Sequence, residues 1–312
     1  MPISIVHLRY LIVIVLLSIE ATPVWAQTES ENPTGTQFNA ELSVGGEYDS
    51  NVAVDEVDIN SSESDYALTM SAKLESHSTL SSSTELDFSY NYSQSLYKEF
   101  SKVNRQTHIL GSNLELDMGK LDGGVSFFYI DSRLDNEKFL RFYRVSPSIS
   151  GFIAKKWFAR GAYVYSDKTI HNSSQRDALN NAGEFDIYYF HRGLRSYFNL
   201  GYQYKNEDAV ADEYDYGSNN LKLRYIHRFD LLRKVATLEL AVRYEDRDYT
   251  SPTPSIEERR SDQRQRWRID LEIPVIERGA LKFYAVYGDN QSNLPRADYD
   301  QNIIGTRFVY AW

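Results

Sequence analysis

Apolar and polar residues alternate with a period of two along about fourteen separate stretches of this chain. The alternation is clearest in the last third, where Trp267, Ile269 and Leu271 are separated by Arg268 and Asp270. Successive side chains of an extended strand point to opposite faces, so each stretch has one apolar face and one polar face. About fourteen such strands, an even number, predict an all-β chain that forms a transmembrane up-and-down antiparallel β-barrel. Its apolar residues would face lipid and its polar residues would face water.

The predicted connections alternate in length. Short connections fall near residues 79–80, 119–120, 155–156, 192–193, 231–232 and 278–279. Short turns at one end and long, extracellular loops at the other are typical of transmembrane barrels. The long polar loops are predicted at Asp49–Asp65, Lys98–Arg105, Ser132–Lys138, Asp167–Arg176, Asn206–Tyr216, Asp248–Gln263 and Asp289–Asp300.

A tyrosine lies on the apolar face just before each long loop, and this tyrosine recurs roughly every 40 residues, one hairpin repeat. Tyrosine combines an apolar ring with a hydroxyl that binds water, so it suits a membrane interface. Phe38, Trp157 and Trp312 are expected near the opposite interface. We predict an aromatic belt that consists of Tyr48, Tyr92, Tyr129, Tyr165, Tyr204, Tyr244 and Tyr287.

The N-terminal residues 1–26 have the pattern of a secretory signal peptide. Arg9 precedes an apolar run, and small residues precede the expected cleavage after Ala26. The run is shorter than the roughly 20 apolar residues that a spanning helix needs. Cleavage would leave a short periplasmic lead at residues 27–36, followed by one transmembrane barrel at residues 37–312.

Composition excludes several classes of function. The chain has no cysteine, which rules out disulfides, thiolate metal sites and a lipid-anchored N-terminus. Its formal net charge of −10 argues against nucleic acid as a partner. A soluble β-sandwich would alternate in a similar way, but the tyrosine belt, the loop lengths and the aromatic terminus favour the membrane barrel.

The stretch Asn302–Trp312 predicts a final strand in which Phe308, Tyr310 and Trp312 share one face. This ending resembles the C-terminal assembly signal of Gram-negative outer-membrane β-barrel proteins, including porins. The resemblance implies location in the outer membrane, with lipid, lipopolysaccharide and the barrel assembly machinery as partners.

The segment Gly45–Val52, read Gly-Gly-Glu-Tyr-Asp-Ser-Asn-Val, resembles the opening strand and first loop of a set of proteobacterial barrels. The set includes the fourteen-stranded barrel of the surface lipoprotein assembly modifiers and barrels associated with exopolysaccharide export. The modifiers also carry a helical-repeat domain, which the short lead at residues 27–36 is not expected to hold.

The polar faces predict a water-filled lumen, because burying so many unpaired charges in a dry core would be costly. We expect acidic side chains on the first four strands and basic side chains on the last six, which would set up a transverse electric field. The predicted pore-lining residues are Glu41, Lys73, Glu85, Asp87, Glu115, Asp117, Arg160, Lys222, Arg224, Arg243, Arg266, Arg268, Asp270, Lys282 and Arg307.

The state of the lumen is open at this point. It is either a pore or a barrel plugged by its own ion pairs, for which Arg266 and Arg268 lie close to Asp270 and Glu272 in sequence. The loop Thr250–Arg264 is a candidate constriction. Three functions fit: passive diffusion of small hydrophilic solutes, export of exopolysaccharide or surface lipoprotein with periplasmic partners, and a non-conducting structural or adhesive role.

An enzyme is not expected, and the sequence predicts no catalytic, cofactor-binding or metal-binding residue. His108 and Ser112 share a strand face but lie roughly 13 Å apart, too far for a hydrogen bond. The acidic loops Asp49–Asp65 and Asn206–Asp215 suit either divalent cations or plain solvation, and neither has the spacing of a calcium loop.

Overall fold

The computed structural model describes residues 35–231 and 233–312, so the predicted signal peptide lies outside the described residues. The described chain forms a closed barrel of fourteen antiparallel strands, each paired with its neighbours in sequence, which confirms the predicted fold class. The strands are β1 Thr36–Asp49, β2 Asp65–Ser81, β3 Thr84–Tyr97, β4 Arg105–Asp117, β5 Asp122–Leu134, β6 Glu137–Ala154, β7 Trp157–Ile170, β8 Ala178–Tyr189, β9 Ser196–Ala209, β10 Tyr216–Leu231, β11 Lys234–Thr253, β12 Glu258–Pro274, β13 Gly279–Ser292 and β14 Tyr299–Ala311.

The barrel closes between its first and last strands. β1 and β14 pair from Glu41 opposite Ala311 to Asp49 opposite Ile303. Beyond the end of β14, Ala40 and Trp312 exchange two backbone hydrogen bonds of 3.1 and 3.0 Å. Closure satisfies the backbone donors and acceptors that an open sheet edge would leave unpaired in lipid.

The two faces of the wall differ as the alternation predicts. On the outer face, Phe38, Ile304 and Trp267 expose 76%, 61% and 50% of their surface in the isolated chain. The inward-facing neighbours are polar, and many of them, such as Asn113 and Asp270, are buried. Within the described ranges, no helix is long and apolar enough to cross a membrane.

The two ends of the barrel are named here by their connections. The loop end carries the β1–β2 connection, residues 50–64, which we call loop 1. The turn end carries the β2–β3 connection and the others on that side. Several connections at the loop end contain a three-residue 3-10 turn, among them the turns Ser101–Val103, Ser174–Arg176 and Asp212–Tyr214.

Two of the predicted long loops are wrong. A tight turn at Asp135–Asn136, with φ of 48° and 67°, replaces the loop predicted at Ser132–Lys138. Most of the predicted loop Asp248–Gln263 is strand, because β11 continues to Thr253 and β12 begins at Glu258. Backbone pairing does not require apolar side chains, so these strands extend past the apolar band from which the loops were inferred.

The effect expected of Pro147 is seen on one side of its strand only. The sequence suggests a bulge or fraying there, because proline has no N–H to donate to the ladder. β6 instead runs through Pro147, which lies opposite Val125 of β5. Pairing with β7 is interrupted at Ser146 and Pro147 and resumes at Ser148 in the same register, so there is no bulge at the proline. The register shift lies between Phe152 and Ala154.

Candidate functional site

Loop 1 folds into the mouth of the barrel at the loop end. Its short strands Ala53–Val54 and Ile59–Asn60 pair with each other around the 3-10 turn Asp55–Val57. Asp58 follows the turn in the left-handed conformation, with φ of 53°. Val52 and Val54 are each only 3% exposed, so the hairpin is packed inside the protein and does not extend into solvent.

An apolar contact anchors loop 1 to the far wall. Val54 belongs to a buried cluster with Phe139 of β6 and Ile170 of β7, and Val57 packs against the same cluster. β7 and β6 are six and five strands from β1 around the closed ring of fourteen, close to the position opposite β1. Loop 1 leaves β1 on one wall and reaches the wall opposite, so it crosses the mouth.

Asp58 fixes the tip of loop 1 between two arginines. Arg260 of β12 donates from Nη1 to Asp58 Oδ2 at 2.9 Å and from Nη2 to Oδ1 at 2.8 Å. Arg176, in the β7–β8 connection, donates to Asp58 Oδ2 at 2.5 Å. Burial would raise the pKa of Asp58, but the hydrogen bonds and charges of Arg260 and Arg176 outweigh it and hold that pKa well below its usual range.

Three further contacts hold loop 1. Arg105 of β4 donates to both carboxylate oxygens of Glu56 at 3.0 Å. The Asn60 side chain donates to the carbonyl oxygen of Arg296 at 2.9 Å. Tyr299 donates its hydroxyl to Asp55, and burial raises the pKa of that carboxyl. Loop 1 is thus fastened to the walls on several sides of the mouth.

Two cavities flank the acidic turn of loop 1. One has a volume of about 400 Å³, and Asp55, Glu56 and Asp58 contribute to its lining. The other has a volume of about 320 Å³ and is lined in part by Asp55, Glu56, Arg105 and the predicted lining residue Arg266. The hairpin therefore divides the water-accessible space at this end of the barrel.

Six basic and four acidic side chains line the larger cavity, and the basic ones are already engaged. Glu207 accepts hydrogen bonds from Lys168 and Lys205, the latter at 3.1 Å, and from Tyr216 at 2.8 Å. The rings of nearby tyrosines also contact cations, with Arg176 lying 4.2 Å from the centre of the Tyr214 ring. The other basic residues of this wall are Arg144, Arg247 and Arg264.

Ion pairs between neighbouring side chains modify the expected division into an acidic and a basic wall. The strands predicted to be basic also supply carboxylates: Arg224 bonds Glu239 at 2.8 Å, and Arg268 bonds Asp270 at 2.6 and 2.8 Å. Arg224 and Glu239 are diagonal neighbours on adjacent strands, and Arg268 and Asp270 lie two positions apart on one strand, so each pair shares one face of the sheet. Local pairing of this kind places opposite charges side by side within the wall expected to be basic.

The other predicted lining residues also have charged or hydrogen-bonding neighbours. On the first five strands, Lys73 pairs with Glu75 at 2.8 Å, and Asp87 with His77 at 2.7 Å. Glu85 and Glu115 are directly opposite each other on β3 and β4. Asp117 accepts a hydrogen bond from the backbone N–H of Gly119 at 2.6 Å, and Glu41 lies opposite Lys73 on the neighbouring strand. The remaining ion pairs are Arg160 with Glu184 and Asp186 at 3.6 and 3.7 Å, Lys222 with Asp186 at 3.4 Å, Arg243 with Glu245 at 3.4 Å, Lys282 with Asp270 at 3.7 Å, and Arg307 with Glu47 at 3.9 Å.

An aromatic cluster that the polar-lumen prediction missed lies inside the turn end. Phe158, Tyr188, Phe190, Tyr197 and Ile226 form it and are all nearly inaccessible to solvent. The sequence signal was present, since these residues occupy positions of the alternation that should face water. They lie on the inner face of the neighbouring strands β7 to β10, at the end opposite loop 1.

The residues of the predicted belt and of the assembly signal lie in the wall. Tyr165, Tyr204 and Tyr287 expose 43%, 51% and 42% of their surface, whereas the other belt tyrosines are half-buried. The rings of Tyr310 and Trp312 lie 5.8 Å apart on the outer face.

Three further sequence expectations can be placed. The loop Thr250–Arg264 does not enter the mouth as a loop, but it supplies Arg260, the residue that fixes loop 1. In residues 35–231 and 233–312, no group of three or more His, Asp or Glu is arranged to hold a metal ion. His108 lies within 2.8 Å of the Tyr90 hydroxyl, which accounts for its position.

The comparisons with known proteins agree with this geometry. No curated protein matches the chain. The fold is similar to an anion-selective porin from Comamonas acidovorans, with 8% identity over 89% of this chain and 100% of that chain and a TM-score of 0.53. It is also similar to OmpT of Vibrio cholerae, with 9% identity over 92% of this chain and 100% of that chain and a TM-score of 0.51. At this identity the likeness shows the outer-membrane barrel fold alone.

A family model gives the more specific result. The model described as surface lipoprotein assembly modifier matches residues 39–308, which run from β1 into β14. The match therefore spans nearly the whole barrel, and this chain belongs to the surface lipoprotein assembly modifier family.

Proposed function

We propose that this chain is a gated outer-membrane conduit that delivers lipoproteins to the cell surface together with periplasmic partners. Membership in the modifier family supports the class of cargo. The observation that carries the proposal is loop 1, which crosses the mouth and is fixed there through Asp58. A mouth closed in this way suits a conduit that opens for a particular cargo better than one that passes small solutes continuously.

The turn end supports the same conclusion. The aromatic cluster around Phe158 and Phe190 narrows the lumen there, in series with loop 1. Apolar constrictions oppose the passage of hydrated ions. With both ends narrowed, the resting barrel retains solutes and passes cargo only after loop 1 has moved.

Passive diffusion of small hydrophilic solutes is the second candidate. The observation in its favour is the pair of cavities, about 400 and 320 Å³, lined by charged side chains. If thermal motion of loop 1 joined them often, solutes would cross without any cargo. An exopolysaccharide cargo is a third possibility, which the same experiment separates.

The test uses the native host with the gene deleted. Intact cells are labelled with a membrane-impermeant biotin reagent, and the labelled fraction of total lipoprotein is measured. We expect that fraction to fall while total lipoprotein stays constant, and the full-length gene to restore it. An unchanged fraction, together with slower uptake of small solutes, would favour the diffusion channel. An unchanged fraction with loss of surface polysaccharide would favour polysaccharide export.

The proposal includes three parts that concern biogenesis and partners. The signal peptide is cleaved after Ala26, the barrel assembly machinery recognises Phe308, Tyr310 and Trp312, and the outer face contacts lipid and lipopolysaccharide. The barrel works without catalysis and without a cofactor.

A further inference from the structure

Asp58 occupies a built site for a carboxylate at the loop end. Arg260 and Asp58 are 2% and 3% exposed, and Arg176 is 11% exposed, so all three groups are removed from bulk water. The planar guanidinium of Arg260 engages both carboxylate oxygens, which is the geometry by which arginine recognises a carboxylate.

The walls of this site do not depend on loop 1. Asp262 of β12 accepts from Arg260 Nε at 2.8 Å and from Nη2 at 2.9 Å, which keeps the guanidinium in position. The ring of Tyr249 lies under the same guanidinium at 4.8 Å. Arg176 is held over the ring of Tyr214 at 4.2 Å. The two arginines are therefore supported by the barrel and its β7–β8 and β9–β10 connections.

The site also adjoins open space. Asp58 and Arg176 both line the cavity of about 400 Å³, so a chain that entered this cavity would meet Arg176 directly, with Arg260 behind Asp58. Basic side chains outnumber acidic ones six to four in the lining of this cavity, although Lys168 and Lys205 already bond Glu207. An acidic group approaching along this wall would be attracted toward the site that Asp58 fills.

We propose that Arg176 and Arg260 form a receptor for carboxylates of the transported polypeptide, and that Asp58 is its internal ligand in the closed barrel. An acidic segment of the cargo takes the place of Asp58 on the two arginines. Loop 1 then loses the ionic contact at its tip and can leave the mouth. The proposal rests on the proposed function only for the identity of the molecule that carries the carboxylate.

The first test empties the site and refills it with acetate. In the Asp58→Ala variant, acetate at about tenfold its dissociation constant should raise the thermal unfolding midpoint by roughly 2–4 °C relative to chloride at equal ionic strength. Wild-type protein, whose site is filled, should not respond. The double variant Asp58→Ala with Arg176→Gln should respond weakly or not at all.

An equal response of wild type and Asp58→Ala to acetate would overturn the proposal. Stabilisation of Asp58→Ala by inorganic phosphate but not by acetate would overturn the assignment to carboxylates. Both readouts use purified protein in detergent and need no cargo, so they stand or fall separately from the lipoprotein assay in the native host.

The second test uses wild-type protein, so it holds even if Asp58→Ala fails to fold. A six-residue glutamate peptide is added at the loop end of the barrel in a planar bilayer, and the frequency of channel opening is recorded. We expect opening at least several-fold more frequent with this peptide than with a six-residue glutamine peptide. Equal opening frequencies with both peptides would contradict the proposal.

Discussion

Arg260 holds Asp58 through two hydrogen bonds of 2.9 and 2.8 Å, although 202 positions separate the two residues in sequence. One belongs to a strand of the wall and the other to the tip of loop 1. Together with the apolar anchor at Val54 and the Glu56–Arg105 pair, this contact holds an acidic loop across the mouth.

Replacing Arg260 should destabilise the barrel. In Arg260→Met the carboxylates of Asp58 and Asp262 stay buried with fewer partners, and breaking a buried ion pair in this way costs about 3–5 kcal/mol. Urea unfolding in detergent micelles measures the loss. Arg259→Met is the matched control, because Arg259 is exposed, and it should change the free energy of unfolding by less than about 0.5 kcal/mol. Equal effects of the two variants would contradict the buried contact.

The contribution of Asp58 to stability should disappear in acid. Its pKa in the folded protein is lowered by Arg260 and Arg176 against the effect of burial, so its stabilisation is complete above the ordinary carboxyl pKa of about 3.9 and is lost as the pH falls below that value. Asp55, whose pKa is raised by burial, changes in the opposite sense, since its protonation favours the folded loop.

The measurement isolates Asp58 by difference. The unfolding midpoints of wild type and Asp58→Asn are compared from pH 7 to pH 3, with Asp55 and Asp262 present in both. The advantage of wild type should be constant at neutral pH and should shrink below about pH 4. An advantage that persisted unchanged to pH 3 would show that the charge of Asp58 does not stabilise the closed loop.

The side chain of Tyr284 lies close to the backbone of Gly305 in the last strand, and this contact predicts a second position at which substitution destabilises the barrel. Gly305 of β14 lies opposite Tyr284 of β13, and a Cβ at position 305 would stand 2.3 Å from the Tyr284 ring. Gly305→Ala should therefore cost about 1–3 kcal/mol by overpacking.

Two further variants check this cause. In the Tyr284→Ala background, Gly305→Ala should lower the free energy of unfolding much less than it does in wild type, because the clashing ring is absent. Gly183→Ala should be well tolerated, since nothing lies within 4 Å of a Cβ there. If Gly305→Ala were as well tolerated as Gly183→Ala, Tyr284 would not pack closely against Gly305.

The two constrictions should act in series. Phe190→Ala removes a buried ring from the aromatic cluster at the turn end, but loop 1 still crosses the other end, so we expect little current from this variant alone. In the Asp58→Ala background the same change should raise single-channel conductance above that of Asp58→Ala. Phe185→Ala is the control, because that side chain is 51% exposed on the outer face. A large current from Phe190→Ala alone would mean that loop 1 does not close the mouth.

The wall of the barrel was predictable from sequence because it follows from a local rule. Each strand has to present apolar residues to lipid at every second position, so Phe38 and Trp267 reveal their orientation without knowledge of any partner. The same constraint excludes a register shift of one residue between neighbouring strands, which would turn every side chain to the other face.

The closure was not predictable, because it depends on contacts between residues far apart in the chain. Asp58 reads as a solvated loop carboxylate until Arg260 is brought to it from β12. Val52 and Val54 were a partial signal in the sequence, because apolar residues are not expected in an acidic loop that is exposed to solvent. Both side chains are buried in the structure. The long loop expected at Asp248–Gln263 hid the structural role of Arg260, because strand pairing there extends beyond the apolar band.

Accessibility of loop 1 tests the central claim most directly. The chain has no cysteine, so Val54→Cys and Ile59→Cys each introduce a single thiol into the same loop. Val54 is 3% exposed and Ile59 is 56% exposed. In purified protein at neutral pH, a polar maleimide should label position 59 rapidly and position 54 at least tenfold more slowly. After the protein is unfolded in urea without detergent, the two positions should be labelled at the same rate. Equal labelling rates at the two positions in the folded protein would show that loop 1 does not lie packed across the mouth.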